Sequence, residues 1–260
     1  MTELIDALGL GEARLVAITG GGGKTSLMKG LAAEWGAAGQ RVLVTTTTKI
    51  AADEAEGPWP SFAAKDAGAI AAKARAAMPG AGAVIAYSDR SRDGFRLVGF
   101  APEILDALLA ERVFDRIVAE ADGSARLPLK APAAHEPVIP PTADAVVMVA
   151  GLIGLGRPLD RDTVFRPELF GARTGLAQGD AITPLALARI LLHRQGLAQY
   201  APPEAALCAF LNRTDDAARL AWAEETAAAL RALKPARAIR LAWGCLKPNP
   251  MIAGWTRIGG

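Results

Sequence analysis

The sequence predicts an α/β fold with a mainly parallel, doubly wound sheet and one inserted β-hairpin. Apolar runs rich in β-branched residues alternate with helical patterns, several runs are apolar throughout, and a polar turn separates two of them. The chain has 260 residues, 51% of them hydrophobic, which is enough for a sizeable core. Because no repeat or low-complexity linker divides it, we expect a single domain over residues 1–260.

The first elements form a strand-helix-strand unit. The run "ARLVAIT" predicts a short strand, and "KTSLMKGLAAEWGAAG" places Leu27, Leu31 and Trp35 on one helical stripe that ends at Gly39. The run "RVLVTTTT" predicts a second strand. Such a unit is typical of a parallel sheet, because the helix returns the chain to the edge where the first strand began.

The middle of the chain is predicted to contain a helix, the hairpin and two buried strands. The helix covers residues 62–78, and the hairpin lies in "GAVIAYSDRSRDGFRLVGF", where two apolar runs flank a turn at Asp93 and Gly94. After a helix in "PEILDALLAERV", the runs "FDRIVAEADG" and "ADAVVMVAG" predict strands covered on both faces.

The last third continues the alternation. Thr183 and Pro184 open a helix in "TPLALARILLHRQG" as its N-cap and first residue. A strand in "AALCAFLNRTDD" is followed by a helix in "DDAARLAWAEETAAALRAL" and by a last strand in "ARAIRLAW".

Charge and cysteine content limit the partners and the cellular location that we expect. The 29 Lys and Arg residues nearly balance the 27 Asp and Glu residues, so the net charge of +2 gives no reason to expect nucleic acid or a membrane as partner. Cys208 and Cys245 have no metal-binding spacing and are predicted to be buried thiols. The acidic N-terminal segment does not resemble a signal peptide, and no apolar run is long enough to span a membrane. We therefore expect a cytoplasmic protein.

A glycine-rich loop separates the first predicted strand from the first predicted helix. Glycines leave room for backbone N–H groups to surround a phosphate, and the helix N-terminus adds a favourable potential. The residues predicted to bind a nucleotide here are Gly20, Gly21, Gly22, Gly23, Lys24, Thr25 and Ser26. A tight turn without a ligand would need one or two glycines and no lysine.

The motif differs from the usual phosphate loop G-x-x-x-x-G-K-[ST], because Ile18 stands at the position of the first glycine. The remaining G-x-x-G-K-T spacing resembles the ATP loop of the Mur ligases. By that resemblance Lys24 would reach the β- and γ-phosphates and take part in catalysis, and the Thr25 hydroxyl would ligate Mg²⁺. The expected cofactors are Mg²⁺ and ATP or GTP.

Oxygen donors are expected at the carboxyl ends of two of the predicted strands. Glu120 and Asp122 lie two residues apart, so both can face one metal ion, bind it through water, or orient an attacking water. Thr46 ends the second strand and is a further candidate metal ligand, although threonine also simply suits a strand. Lys49 is either a phosphate contact or a solvated charge.

The proline-rich loop "SARLPLKAPAAHEPVIP" supplies two candidate catalytic residues, Lys130 and His135, beside Glu136. A lysine would neutralise phosphate charge, and a histidine can donate or accept a proton near neutral pH. The alternative is a rigid surface loop with scattered charges.

Asn212 and Asp215 have the N-x-x-D spacing with which GTPases recognise guanine. A carboxylate can accept both N1–H and the exocyclic amine of guanine, which adenine cannot supply. The alternative is a helix cap, because Asn and Asp favour N-cap positions and a helix follows. The base therefore stays open between ATP and GTP.

Four segments together resemble the YqeC family: "TGGGGKTS", "VLVTTTTKI", "EADGSARLPLKAPAAHEPVIP" and "AGLIGLGRPLD". The resemblance runs from about Val16 to Asp215. It implies a fold like that of P-loop NTPases and a role as an accessory or selenium cofactor biosynthesis protein for selenium-dependent molybdenum hydroxylases. The implied partner is such a hydroxylase or the precursor of its cofactor.

Three functions are compatible with this site. The first is a Mg²⁺-dependent nucleoside triphosphatase that assists maturation or cofactor delivery. The second is a ligase like the Mur enzymes, or a small-molecule kinase. The third is a binding module whose affinity for a partner depends on the bound nucleotide, with negligible turnover.

Overall fold

The structure is a computed structural model that describes residues 3–55, 57–78, 82–248 and 250–259. Its strands are, in chain order, β1 (Leu15–Gly20), β2 (Val42–Thr46), β3 (Lys49–Ala51), β4 (Ser61–Ala63), β5 (Ala83–Tyr87), β6 (Asp89–Arg90), β7 (Arg96–Val98), β8 (Arg116–Glu120), β9 (Leu129–Lys130), β10 (Ala145–Gly151), β11 (Val164–Phe165), β12 (Ala206–Asn212), β13 (Ile239–Cys245) and β14 (Met251–Ile258). Its α-helices are α1 (Leu4–Leu8), α2 (Lys24–Ala37), α3 (Ala67–Ala77), α4 (Pro102–Ala110), α5 (Pro167–Thr174), α6 (Pro184–Leu192) and α7 (Ala217–Ala232).

A nine-stranded sheet forms the centre, in the order β14-β13-β12-β10-β1-β8-β2-β5-β4. All neighbouring strands in it are parallel except β13 and β14. This confirms the predicted α/β class with a mainly parallel sheet, and the architecture is consistent with a P-loop NTPase-like fold.

Strand β1 lies near the middle of the sheet and is buried along its whole length. Val16 and Ile18 pack into the core on one face, with α2, while Leu15 and Ala17 pack into a core on the other. Because side chains alternate along a strand, such two-sided burial requires apolar residues at successive positions. The glycine loop therefore begins from a strand that is held on both faces and on both edges.

The predicted hairpin is present, with different arms. The turn at Asp93 and Gly94 joins β6 to β7, and these pair with β3 in a small antiparallel sheet. The apolar run that was expected to be the first arm is β5, which joins the central sheet as a parallel strand. All five residues of β5 are buried, which an exposed hairpin could not provide.

Two further boundaries differ from the predictions. The helix expected over residues 62–78 is α3, which starts later because the Asp66 carboxylate accepts a hydrogen bond from the N–H of Ala69 and caps it. The run "ARAIRLAW" contains the start of β13, which is not the last strand. Strand β14 follows β13 in the chain and pairs antiparallel with it at the sheet edge. The predicted cap at Thr183 is confirmed, with its hydroxyl accepting from the N–H of Ala186.

Within the residues that the structure covers, no helix combines the length and apolar character needed to cross a membrane. Cys208 and Cys245 are both buried free thiols, as predicted from the sequence.

Candidate functional site

The glycine loop connects β1 directly to the N-terminus of α2. Gly20, Gly22 and Gly23 have φ angles of 97°, 75° and 140°, in a region that residues other than glycine rarely adopt. A Cβ atom on Gly22 would lie 2.6 Å from the Cα of Gly151, so the loop also approaches β10 too closely for a side chain. Glycine is therefore required here for conformation and for space.

The loop and the start of α2 border an open cleft of about 1430 Å³. Gly22, Gly23, Lys24, Thr25 and Ser26 all line it. Among the described residues no side chain caps α2 at Gly23. Since the first N–H groups of a helix have no partner within the helix, this end of α2 presents donors to the cleft.

Lys24 turns back toward the carboxyl ends of the strands. Its side chain is only 4% exposed, and Nζ donates to the carbonyl of Gly20 at 2.8 Å and to Ser124 Oγ at 3.2 Å. The same Nζ lies 3.3 Å from Glu120 Oε1 and 3.6 Å from Asp122 Oδ1. The loop lysine is thus held between two carboxylates at the base of the cleft.

The two predicted acids have different positions. Glu120 lines the cleft, and its Oε2 accepts from the Thr25 hydroxyl at 3.2 Å. Asp122 is completely buried and accepts from the Gly20 N–H at 3.1 Å through both carboxylate oxygens. Asp122 therefore holds the start of the glycine loop, whereas Glu120 faces the space in front of it.

A complete protein-only metal site is not present among the described residues, since no three His, Cys, Asp or Glu side chains converge. The Thr25 hydroxyl and the Glu120 carboxylate do supply two adjacent oxygen donors at the cleft. One or two protein oxygens together with phosphates and water are the usual ligands of Mg²⁺ in nucleotide sites. The donor set fits that ion when a phosphate is bound.

Thr46, expected as a metal ligand, is fully buried and occupied within the protein. Its hydroxyl donates to the carbonyl of Glu120 at 2.8 Å and accepts from the N–H of Thr48 at 3.0 Å. These bonds fix the ends of β2 and β8 relative to each other. The Thr46 hydroxyl thus contacts the backbone of Glu120, and Thr46 does not line the cleft.

Lys130 was expected to meet phosphate, but its ammonium is buried at 0% exposure behind the loop. It lies 2.9 Å from Asp122 Oδ2 and 3.0 Å from Glu136 Oε2, and it donates to the carbonyl of Gly123. Arg166 Nη1 in turn lies 2.5 Å from Glu136 Oε2. We call Lys24, Asp122, Lys130, Glu136 and Arg166 the ion-pair chain, because charges of opposite sign alternate along it.

His135 is exposed and lies apart from the glycine loop. It lines a second cavity of about 660 Å³, together with the neighbouring Glu136. Burial by itself raises the pKa of Glu136, but the Arg166 and Lys130 cations lower it to about 2, so this carboxylate is ionised at neutral pH.

Asn212 holds the glycine loop from the opposite side. Its Nδ2 donates to the carbonyl of Gly22 at 2.7 Å, and its Oδ1 accepts from the N–H of Leu246 at 3.2 Å. Asp215 lines the same end of the cleft and is ionised, because hydrogen bonds from Arg213 lower its pKa to about 2. Neither residue caps α7: the cap is Asp216, whose carboxylate accepts from the N–H of Arg219 at 2.8 Å. The capping interpretation is therefore wrong.

Lys49 was expected to be either a phosphate contact or a solvated charge, and the hairpin residues beside it were not assigned to the site. Lys49 on β3 and the hairpin residues Phe95 and Arg96 line the cleft opposite the loop, with Phe95 76% exposed. Asp53, which follows β3, pairs with Arg126 at 2.7 Å across this side. The hairpin itself was predictable, but its position over the sheet edge depends on contacts distant in the sequence.

Two comparisons with known proteins agree on one family. The family model described as YqeC protein matches residues 16–168. A curated protein from Escherichia coli (strain K12), named "Uncharacterized protein YqeC", is 34% identical over 199 residues, which cover 76% of this chain and 75% of that protein.

Proposed function

This chain belongs to the YqeC family, and we propose that it is a Mg²⁺-dependent nucleoside triphosphate-binding protein that hydrolyses ATP or GTP or transfers its γ-phosphoryl group. The observation that carries the proposal is the glycine loop at the N-terminus of α2, which receives no cap from the described side chains and has Lys24 buried at its base. Backbone donors, a helix dipole and a lysine side chain belong to the same short segment, and this is the combination that binds phosphate.

Lys24 supplies the positive charge that would bind phosphate in this site. Its ammonium is now shared among the Gly20 carbonyl, Ser124 Oγ and two carboxylates, at distances from 2.8 to 3.6 Å. A triphosphate in the loop would compete for the ammonium, since phosphate oxygens are strong charge-assisted acceptors. Asp122 would remain compensated by Lys130, so a shift of Lys24 toward phosphate does not leave it alone.

Thr25 and Glu120 would hold Mg²⁺, directly or through water. When bound, the ion would neutralise charge on the β- and γ-phosphates. Glu120 also lies where it can orient a water or an acceptor in the cleft, because it lines the cleft beside Lys24.

Three uses of the nucleotide remain distinguishable by experiment. Hydrolysis that assists a molybdenum hydroxylase, or delivery of its cofactor precursor, should be accelerated by that partner. A Mur-like ligase or a kinase should instead form a product with a small acceptor, and the second cavity beside the cleft favours this second function. A nucleotide-gated module should bind tightly with negligible phosphate release.

The test is calorimetry with ATP and GTP separately, in the presence of Mg²⁺, combined with phosphate release. We expect Lys24→Ala to weaken triphosphate binding at least tenfold and to leave binding of the bare nucleoside nearly unchanged, because the lysine would contact the phosphates and not the base. Lys65→Ala is the matched control, since Lys65 forms an exposed pair with Asp89 away from the cleft. Equal triphosphate affinity of Lys24→Ala and the parent, with both folded by circular dichroism, would disprove the proposal.

A further inference from the structure

The second cavity adjoins the cleft. Lys49, Arg96, Gly123 and Ala125 line both, so a molecule in the second cavity would lie next to whatever occupies the cleft. Its volume of about 660 Å³ is in the range of sites that enclose small molecules.

The charges at this cavity favour an anion. Lys49 and Arg96 are exposed, and none of the described carboxylates forms a salt bridge with either of them. Glu136 is the acid on the opposite wall, but Lys130 and Arg166 both pair with it at 3.0 Å or less. The negative charge of Glu136 is therefore compensated. Lys49 and Arg96 have no salt-bridge partner among the described residues, and Asp93 acts on Arg96 only through a longer-range attraction.

The remaining walls are apolar and partly aromatic. Phe100, Phe165, Val98 and Val138 line the cavity. The Arg166 guanidinium stacks on the Phe165 ring at 4.4 Å from its centroid, and this contact together with the Glu136 pair fixes the ring orientation. A ligand with a flat or apolar part can bury that part here while its charged group faces Lys49 and Arg96.

The two loops that follow strands β2 and β8, beside the glycine loop, also line this cavity. Thr47 and Thr48 follow β2, and Gly123 and Ala125 follow β8. The ion-pair chain connects the same two regions, because it runs from Lys24 at the cleft to Glu136 and Arg166 beside the cavity. The two spaces are thus built from shared parts of the fold.

We propose that the second cavity binds the co-substrate of the nucleotide reaction, a small organic anion with a flat apolar portion, with its anionic group at Lys49 and Arg96. This proposal rests on the proposed function, since the second cavity borders the cleft that would hold the nucleotide. His135, at the outer wall, is positioned to contact the ligand and not the nucleotide.

The probe is 2-naphthoate, a flat organic carboxylate, and its neutral analogue is 2-naphthamide. The protein is first saturated with Mg²⁺ and a non-hydrolysable triphosphate, so that the cleft is filled. Binding of each probe is then followed by naphthalene fluorescence. We expect 2-naphthoate to bind at least tenfold more tightly than 2-naphthamide.

Val98 provides a matched pair of variants, because it lines the second cavity and not the cleft and pairs with Lys49 across β3 and β7. Val98→Asp adds a negative charge and Val98→Asn adds the same shape without charge. We expect Val98→Asp to bind 2-naphthoate at least tenfold more weakly than Val98→Asn, with each variant saturated with the triphosphate during the measurement.

Equal binding of 2-naphthoate to the two variants, or of the two probes to the parent, would overturn this proposal and leave the proposed function intact if the triphosphate still binds. Failure of the triphosphate to bind the parent would instead overturn the proposed function, and with it this assignment.

Discussion

Lys130 Nζ lies 2.9 Å from Asp122 Oδ2, and neither side chain is exposed to solvent. Because Asp122 also accepts from the Gly20 N–H, this buried pair connects the proline-rich loop to the start of the glycine loop. A lysine that the sequence placed among the catalytic residues thus has its main contacts inside the protein.

Removal of this ammonium should destabilise the protein strongly. We expect Lys130→Met to lower the free energy of unfolding by about 3–5 kcal/mol, because it leaves buried carboxylates without their cation. Lys65→Met is the control, since it breaks an exposed pair with Asp89 and should lower the free energy of unfolding far less. Urea denaturation measures both, and equal losses would show that Lys130 is not a structural cation.

The glycine loop should not tolerate a methyl group at Gly22. Gly22 and Gly39 have φ angles of 75° and 78°, so alanine meets similar backbone strain at both, about 1–2 kcal/mol. Only Gly22 also has backbone within 2.6 Å of the added Cβ, while Gly39 has open space. We expect Gly22→Ala to unfold at lower urea than Gly39→Ala and to lose triphosphate affinity, which Gly39→Ala keeps. Identical behaviour of the two variants would mean that the loop relaxes easily.

The stability contribution of Glu136 should depend on pH. Its folded pKa of about 2 lies below the ordinary value of 4.5, because Arg166 and Lys130 outweigh the effect of burial. The ionised carboxylate therefore stabilises the fold above about pH 4.5, and this contribution is lost as the pH falls through 2.

Glu136→Gln should accordingly lower the urea midpoint most at pH 7, and the difference from the parent should shrink at pH 4 and again at pH 3. Urea titrations of both proteins at these three pH values provide the measurement. A difference that stays constant from pH 7 to pH 3 would contradict the ionic role.

Asp215 should decide between the two bases. Its bonds to Arg213 are exposed and worth at most about 1 kcal/mol, so guanine can replace them, whereas adenine has no N1–H to donate to the carboxylate. We expect GTP to bind at least about tenfold more tightly than ATP, and Asp215→Asn to reduce that preference.

Asp216→Ala is the matched control for the base. It removes the observed cap of α7 and should lower the free energy of unfolding slightly while leaving the GTP preference unchanged. Competition titrations of the two nucleotides on all three proteins give the result, and an ATP preference in the parent would exclude guanine recognition by Asp215.

The central sheet was predictable because its parallel strands are buried on both faces and read as continuous apolar runs, as in β10. Strand β14 was not, since it lies at an edge and most of its residues are exposed or half-buried. Gly254 interrupts its pattern, and a Cβ there would lie 2.5 Å from the Trp243 ring. Whether this segment forms a strand therefore depends on its pairing with β13.

The site was predictable where a glycine-rich motif or the end of an apolar strand carries it. The positions of Lys24, Thr25 and Glu120 follow from a loop and a strand end, and the structure brings these three together. The burial of Lys130 and the wall formed by Arg96 depend on which loops pack over the sheet edge. Spacing along the chain carries no information on that packing.

The bond between Asn212 and the Gly22 carbonyl joins residues 190 positions apart. Its acceptor lies in the glycine loop and its donor at the end of β12, while the Asn212 Oδ1 accepts from the N–H of Leu246, which follows β13. The first strand-helix-strand unit by itself therefore lacks contacts that hold its own loop. We expect the loop to reach its final conformation only once β12 and β13 have joined the sheet.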